Sequence, residues 1–316
     1  MNEKKILAIG VPVFLLLFMF GLLYKLDLST DSIILFELRL PRLVLSILVG
    51  VALGYAGYFM QLVVQNPLAD PYVLGSSGGA ALMVALVYLV FPTILYSYVG
   101  LIGLTFAGAW ISVSISIYLS RFKGQIVPYR MVLIGMGIAG FSMALVSLLM
   151  YVKGEANQVR SIVFWTFGSF QAAQWTSVIW VLVVVGAAMV WGWRNYYHLK
   201  MMEIGEEHAE RLGVSVQQVR RNMVLWATLL TAVSVSFAGP IGFVGLIVPH
   251  MVRRLLPTQL HVGQLTILWL LSGGIVLTAE VLSSFILYPQ VVPAGVLMTL
   301  VGVPVFILMM SRIDSD

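Results

Sequence analysis

The feature that most restricts this chain is its rhythm, in which long apolar runs alternate with short polar islands that hold nearly every charge. An α-helix needs about 20 apolar residues to cross the hydrocarbon of a bilayer. Runs near that length occur at residues 6–24, 43–64, 73–91, 94–120, 131–152, 176–193, 222–238, 264–287 and 291–311, with a shorter one at 241–252. Of the 316 residues 60% are apolar and only 10% charged, whereas soluble chains carry roughly a quarter charged residues. The expectation is an all-α, polytopic membrane protein of about ten helices, folded as a single transmembrane domain over 1–316. No island is long enough for an independent soluble core.

The run IGFVGLIVPHMV (241–252) is too short to cross, follows Gly239-Pro240 and is interrupted by Pro249. It reads as a re-entrant half-helix, and broken backbone at membrane depth must find polar partners inside the protein. The opening NEKK and its apolar run exceed a secretory signal's core and end at Tyr24 without a small-residue cleavage site, so a retained first helix is expected. The chain has no cysteine, which excludes a disulfide framework, a thiolate metal site and a cysteine nucleophile. Its net charge of +5 is spread over helix ends, which fits contact with membrane lipid and argues against nucleic acid.

Positive charge sets an orientation. With the amino terminus inside, Lys4, Lys5, Arg121, Lys123, Arg130, Arg194, Lys200, Arg211, Arg220, Arg221, Arg253, Arg254 and Arg312 all fall inside. Only Lys25, Arg39, Arg42, Lys153 and Arg160 fall outside, which predicts a multi-pass protein with both termini cytoplasmic.

The stretch QNPLADPYVLGSSGGA (65–80) interrupts the apolar pattern. Asn-Pro and Asp-Pro turn the preceding residues away from helix, so the second span ends near Gln65 and the third starts no earlier than Pro71. Gly75, Ser76, Ser77, Gly78, Gly79 and Ala80 then form a face with almost no side-chain volume, as do Gly50, Gly54 and Gly57 on the preceding helix. Such faces serve close helix packing or leave room for a solute path.

The longest island holds MEIGEEHAERLGVSVQQVRRN. Glu206 to Leu212 reads as a short helix stopped by Gly213. Ser215, with Gln218 three residues on, fits a capping box that opens a second short helix. The pair, at about 203–221, reads either as a docking element or as an ordinary capped loop.

Five stretches occur together in one order: RLPR (39–42), YFMQ (58–61), QNPLADPYVLGSSGGA, IGEEHAERLGV (204–214) and GPIGFVGLIVPHMVRRL (239–255). In that order the chain resembles the permease subunits of type II ABC importers for iron-siderophores, haem and cobalamin, the FecCD- and BtuC-like family, over nearly its whole length. The resemblance implies a permease that pairs with an identical or homologous second permease in the bacterial cytoplasmic membrane. An ABC ATPase dimer and an extracytoplasmic substrate-binding protein complete the assembly. It implies no cofactor on this chain, with ATP and magnesium on the partner ATPase. The coupling element matches at Gly205, Glu206, Ala209, Leu212 and Gly213, with Arg253 close to the coupling surface. Arg39 and Arg42 match the outer arginines that meet glutamates of the binding protein, while Ser284 stands where the family can carry a third. The implied cargo is a ferric siderophore first, then haem, then cobalamin.

Glu280 lies inside the apolar run LSGGIVLTAEVLSSFIL, where an ionisable group is costly. The resemblance implies a buried helix-packing partner at this position, while the residue by itself also fits the coupling acid of an alternative, an ion-coupled secondary transporter. His250 has no second ligand at metal spacing, so no metal site is expected. Trp165, Phe167, Phe170 and Trp175 read as an interfacial belt, with one or two of them able to meet a substrate. No phosphate loop, H-E-x-x-H or catalytic triad can be assembled, so the chain is expected to be a transporter and not an enzyme.

Overall fold

The computed structural model describes residues 3–24, 33–93, 97–256 and 263–311. Helix α1 (Glu3–Leu23) is followed by a π-helical turn (Ile34–Arg39) that runs directly into α2 (Leu40–Val64). A 3-10 turn (Pro71–Leu74) precedes α3 (Ser76–Leu89), and α4 (Tyr98–Leu119) leads through a small hairpin, β1 (Arg121–Phe122) and β2 (Gln125–Ile126), into α5 (Pro128–Lys153). Then come α6 (Ala156–Thr166), α7 (Trp175–Arg194), α8 (Tyr196–Ile204), α9 (Glu206–Arg211), α10 (Val216–Ala238), α11 (Val244–Leu255), α12 (Gly263–Phe285) and α13 (Ala294–Ser311). Apart from that two-stranded hairpin the regular structure is helical, in keeping with the expected all-α polytopic class. Among the described residues seven helices, α1, α2 with its π turn, α4, α5, α7, α10 and α12, are long and apolar enough to cross a membrane. The remaining expected segments are α3, α11 and α13, which are shorter.

Several boundaries differ from expectation. The residues from 215 to 221 do not form a separate short helix. They are the first turns of α10, because nothing between Val216 and Ala238 breaks a helix once it is nucleated. The Ser215–Gln218 capping box is also absent, since the Ser215 hydroxyl bonds the Gln218 side-chain oxygen (3.3 Å) and not the backbone. Two helices were not foreseen, α6 and α8. The first starts with a capping box between Glu155 and Gln158, a signal present in the sequence as E-x-x-Q. Helix α2 begins before residue 43, so RLPR lies within a helical segment. Lys25, Arg312 and the helix start placed at 94 lie outside the described residues.

Helix α2 is the axis of the bundle. It is apolar on all sides and buried along nearly all of its length, as a helix surrounded by others must be. Its small residues admit neighbours at backbone distance. A Cβ on Gly54 would meet the Ser272 side chain of α12 at 2.6 Å, and one on Gly50 would strike the Ser272 carbonyl. One on Gly57 would fall within the backbone of Gly245 in α11. Gly79 of α3 and Gly108 of α4 press backbone to backbone in the same manner, and Gly78 faces Ala139 of α5. At all these positions the small residues serve close packing.

Candidate functional site

Two interruptions of helical backbone meet beside α2, and the polar groups that satisfy them define the interior of the bundle. In α11, Pro249 has no N–H for the Gly245 carbonyl four residues earlier. The buried Gln61 amide of α2 supplies it, donating to the carbonyls of Gly245 and Leu246 at 3.1 Å each. The Gln61 side-chain oxygen in turn accepts a hydrogen bond from Arg253. One glutamine thus satisfies the broken backbone and anchors the arginine at the far end of the same half-helix. Arg253, expected near the coupling surface, is turned inward to α2. Gln61 is the last residue of the YFMQ motif, whose presence alone does not reveal this role. The signal was a lone amide at spanning depth opposite a proline-broken run.

The second interruption is the QNPLADPYVLG stretch. Gln65 ends α2 in a left-handed conformation (φ 52°), and its amide donates to the Met202 carbonyl of α8 at 3.0 Å. The chain then folds back among the helices, where the hydroxyls of Ser116 and Ser112 on α4 donate to the carbonyls of Leu74 (2.9 Å) and Gly75 (2.7 Å). These serines lie about one and two turns before the end of α4, so the carbonyls sit below the surface of the bundle. The Tyr72 hydroxyl accepts from the Ile241 N–H (3.1 Å), tying this turn to the break between α10 and α11. Gly75 (φ 91°) makes the turn into α3. Among the described residues the buried Ser76 hydroxyl has no hydrogen-bond partner, and Ser77 is partly buried.

Asp70 caps the 3-10 turn by accepting from the Tyr72 N–H at 2.8 Å. Burial pushes its carboxyl from an ordinary 3.8 up to about 6, against the opposing effect of that hydrogen bond. Between these values the folded state holds more protons than the unfolded one. The associated stability is therefore present below about pH 4 and lost as pH rises through about 6. Asp70→Asn keeps the acceptor and should be more stable than the parent by on the order of 2 kcal/mol at pH 7. Thermal melts in detergent should show that difference shrinking to near zero at pH 4; a constant difference would contradict the assignment.

On the side of the bundle where α2 and α10 meet the polar island, α9 is flanked by two left-handed glycines, Gly205 (φ 140°) and Gly213 (φ 82°). Ala209 is fully buried, while Leu212 is 58% and Ile204 60% exposed. Glu206 pairs with Arg220 of α10, whose side chain is 5% exposed. Arg220 also donates to the Ile126 carbonyl of β2 (3.4 Å). Glu206 is therefore committed inward, and the outward-facing apolar group is Leu212, the residue that caps α9. Arg220 was not singled out beforehand; its neighbour in an Arg-Arg pair offers no sequence signal for which of the two turns in.

At the opposite end, Arg39 donates to the Leu22 carbonyl (3.2 Å) and to that of Tyr24, closing the end of α1. Arg39, Arg42, Glu280, Ser284 and Tyr288 line one cavity of about 240 Å³. Glu280 is 3% exposed, and among the described residues the buried Arg42 Nε has no hydrogen-bond partner. Arg39, Arg42 and the acid of α12 therefore come together, with Ser284 beside them. Of the aromatic cluster, Phe170 is fully buried and Phe167 and Trp175 are exposed. Trp165 lines a cavity of about 830 Å³ with Tyr88, Tyr98, Arg160 and Gln290. Among the described residues no three His, Cys, Asp or Glu side chains are grouped to hold a metal.

Comparison with known proteins covers almost the entire chain. Residues 6–312 match the FecCD transport family. The chain is 33% identical over 286 residues to the hemin transport system permease protein HmuU of Yersinia pestis, covering 87% of this chain and 82% of that one. It is equally 33% identical over 290 residues to the iron(3+)-hydroxamate import system permease protein FhuG of Bacillus subtilis, covering 90% and 85%. A solved chain from an inward-facing conformation assigned to the metal-chelate type ABC transporters superposes with a TM-score of 0.85 at 26% identity, covering 98% of this chain and all of that one.

Proposed function

The chain belongs to the FecCD transport family, and from that premise we propose that it is the membrane-spanning permease of an ABC importer that carries a ferric chelate inward. It is a multi-pass membrane protein and a permease. The cargo is an iron-siderophore, with haem as the next candidate, in keeping with the hydroxamate and hemin named for its relatives. ATP with its magnesium is bound and hydrolysed by a separate ATPase dimer, and this chain binds no cofactor. A second permease completes the pathway. Both termini face the cytoplasm, which puts α9 inside and the cavity of Arg39, Arg42 and Glu280 outside, where a binding protein docks.

The observation that carries this reading is the construction of α9. A short helix hinged at two glycines, fixed to α10 by Glu206 and presenting Leu212, suits an element pushed by a neighbour. Gly205, Ala209 and Gly213 shape it: two give the bends and one the buried seat. Leu212→Glu should fold normally, since exposed substitutions typically change stability by less than about 0.5 kcal/mol. ATP-driven uptake in vesicles containing the ATPase should nevertheless fall at least about ten-fold, the effect expected from losing one well-packed apolar anchor. Undiminished uptake with normal assembly would defeat the coupling role.

The ion-coupled alternative through Glu280 is not favoured by the family assignment. Glu280→Gln is expected to keep ATP-dependent uptake within about three-fold of the parent, as glutamine leaves a polar acceptor in the cavity that Arg42 also lines. Uptake that follows an ion gradient without ATP would reverse the assignment. For the outer face, Arg42→Glu should weaken capture of the binding protein at least about ten-fold in a pull-down at low salt, by replacing attraction with repulsion.

A further inference from the structure

Consecutive arginines at 220 and 221 are divided by the geometry of α10. Arg220 is buried and spends its guanidinium on Glu206 and the Ile126 carbonyl. Arg221, about 100° further round the helix, is exposed and lines a groove of about 430 Å³ between α4 and α10, together with Arg121 at the start of the hairpin. Among the described residues neither Arg121 nor Arg221 makes an ion pair, since those found are Lys200–Glu203 and Arg220–Glu206. No acidic side chain lines the groove.

The rest of the groove is of a different character. From the two arginines it runs between Tyr118, Leu225, Thr228 and Trp110. Trp110 lies about 14 Å along α4 from that helix's end, and Thr228 about 10 Å along α10 from Arg221. That depth reaches close to the middle of a hydrocarbon layer of about 30 Å. Tyr118, 72% exposed, stands at the level where aromatic side chains meet headgroups. The outer faces of both helices here are apolar, with Ile111, Ile115 and Leu225 exposed, so the groove opens towards lipid and not towards water.

We propose that this groove is a binding site for one anionic glycerophospholipid of the leaflet on the α9 side, its phosphate held between Arg121 and Arg221 and an acyl chain lying along the channel towards Trp110. The occupant follows from the combination of two unpaired cations at the mouth with an apolar channel of acyl-chain depth. A free phosphate would leave the channel unused, and a neutral lipid would leave the charge unmatched. Bound there, the lipid bridges the α4–α5 hairpin to the first turns of α10, next to the Arg220 contact with Ile126.

Native mass spectrometry of the purified full chain, in detergent with added phosphatidylglycerol or phosphatidylcholine at equal concentration, tests this. Two arginines at the interface should favour the anionic lipid roughly thirty-fold. The expected result is one phosphatidylglycerol retained per chain and little phosphatidylcholine. Retention should be lost in Arg121→Gln with Arg221→Gln, and also in Ser114→Trp, which obstructs the groove from α4 while leaving both arginines in place. The second variant carries the test if the first fails to fold. Equal retention of the two lipids, or retention unaffected by Ser114→Trp, would overturn the proposal. So would displacement of the lipid by millimolar inorganic phosphate, which would make the site one for a free anion.

Discussion

A valine at position 57 should leave little folded permease in the membrane. The Cβ of any side chain there would enter the backbone of Gly245, where no rotamer change can make room. Overpacking costs about 1–3 kcal/mol when side chains can shift, and more when they cannot. Separation of α11 from α2 would also remove the Gln61 amide from the carbonyls of Gly245 and Leu246, exposing polar backbone where lipid and apolar side chains offer nothing in return. Gln61→Leu isolates this second effect, as it keeps the packing and deletes the amide. Each stranded carbonyl should cost about 1–3 kcal/mol, and Arg253 loses its acceptor as well. Membrane yield of Gly57→Val is expected to fall at least about ten-fold, and the melting temperature of Gln61→Leu to drop clearly. A Gly57→Val chain that accumulates and melts like the parent would show that α11 does not sit against α2 as described.

The second large effect is expected from Arg220→Ala. The side chain is 5% exposed and its partner Glu206 33%, so the loss should lie below the 3–5 kcal/mol typical of a fully buried pair, at about 2–3 kcal/mol. Transport should suffer more than stability, because α9 would no longer be fixed to α10. Uptake in vesicles with the ATPase should fall at least about ten-fold while ATP hydrolysis continues, which is the signature of uncoupling. The exchanged pair, Glu206→Arg with Arg220→Glu, should recover part of the uptake if the pair itself is what matters. Parental uptake in Arg220→Ala would remove the ion pair from the mechanism.

The sequence displayed the membrane-spanning runs, the proline-marked breaks and the glycine stops, because each of these is a local property of backbone and composition. Gly213 closes α9 as its position predicts, and Gln65 ends α2 where Asn-Pro implies it must. Partnerships across the bundle were not visible in the same way. That Gln61 faces Pro249's broken turn, or that Arg220 and not Arg221 turns inward, depends on the rotation of α2 and α10, and a uniformly apolar helix such as α2 has no polar face to reveal its rotation. The missed helices have related causes. Helix α8 follows α7 after a single residue, so the two read as one run trailing into an island, and the opening turns of α10 were separated from their continuation by a change of composition without any break in conformation.

The three-way junction at Arg220 has a mechanical corollary. One guanidinium holds the Glu206 carboxylate and the Ile126 carbonyl, and Ile126 belongs to the strand pair that joins α4 to α5. If α9 is the proposed coupling element, a push on it would bear on three spans, α10, α4 and α5, through that one guanidinium. Such gearing favours an all-or-none throw of the bundle over a graded bend.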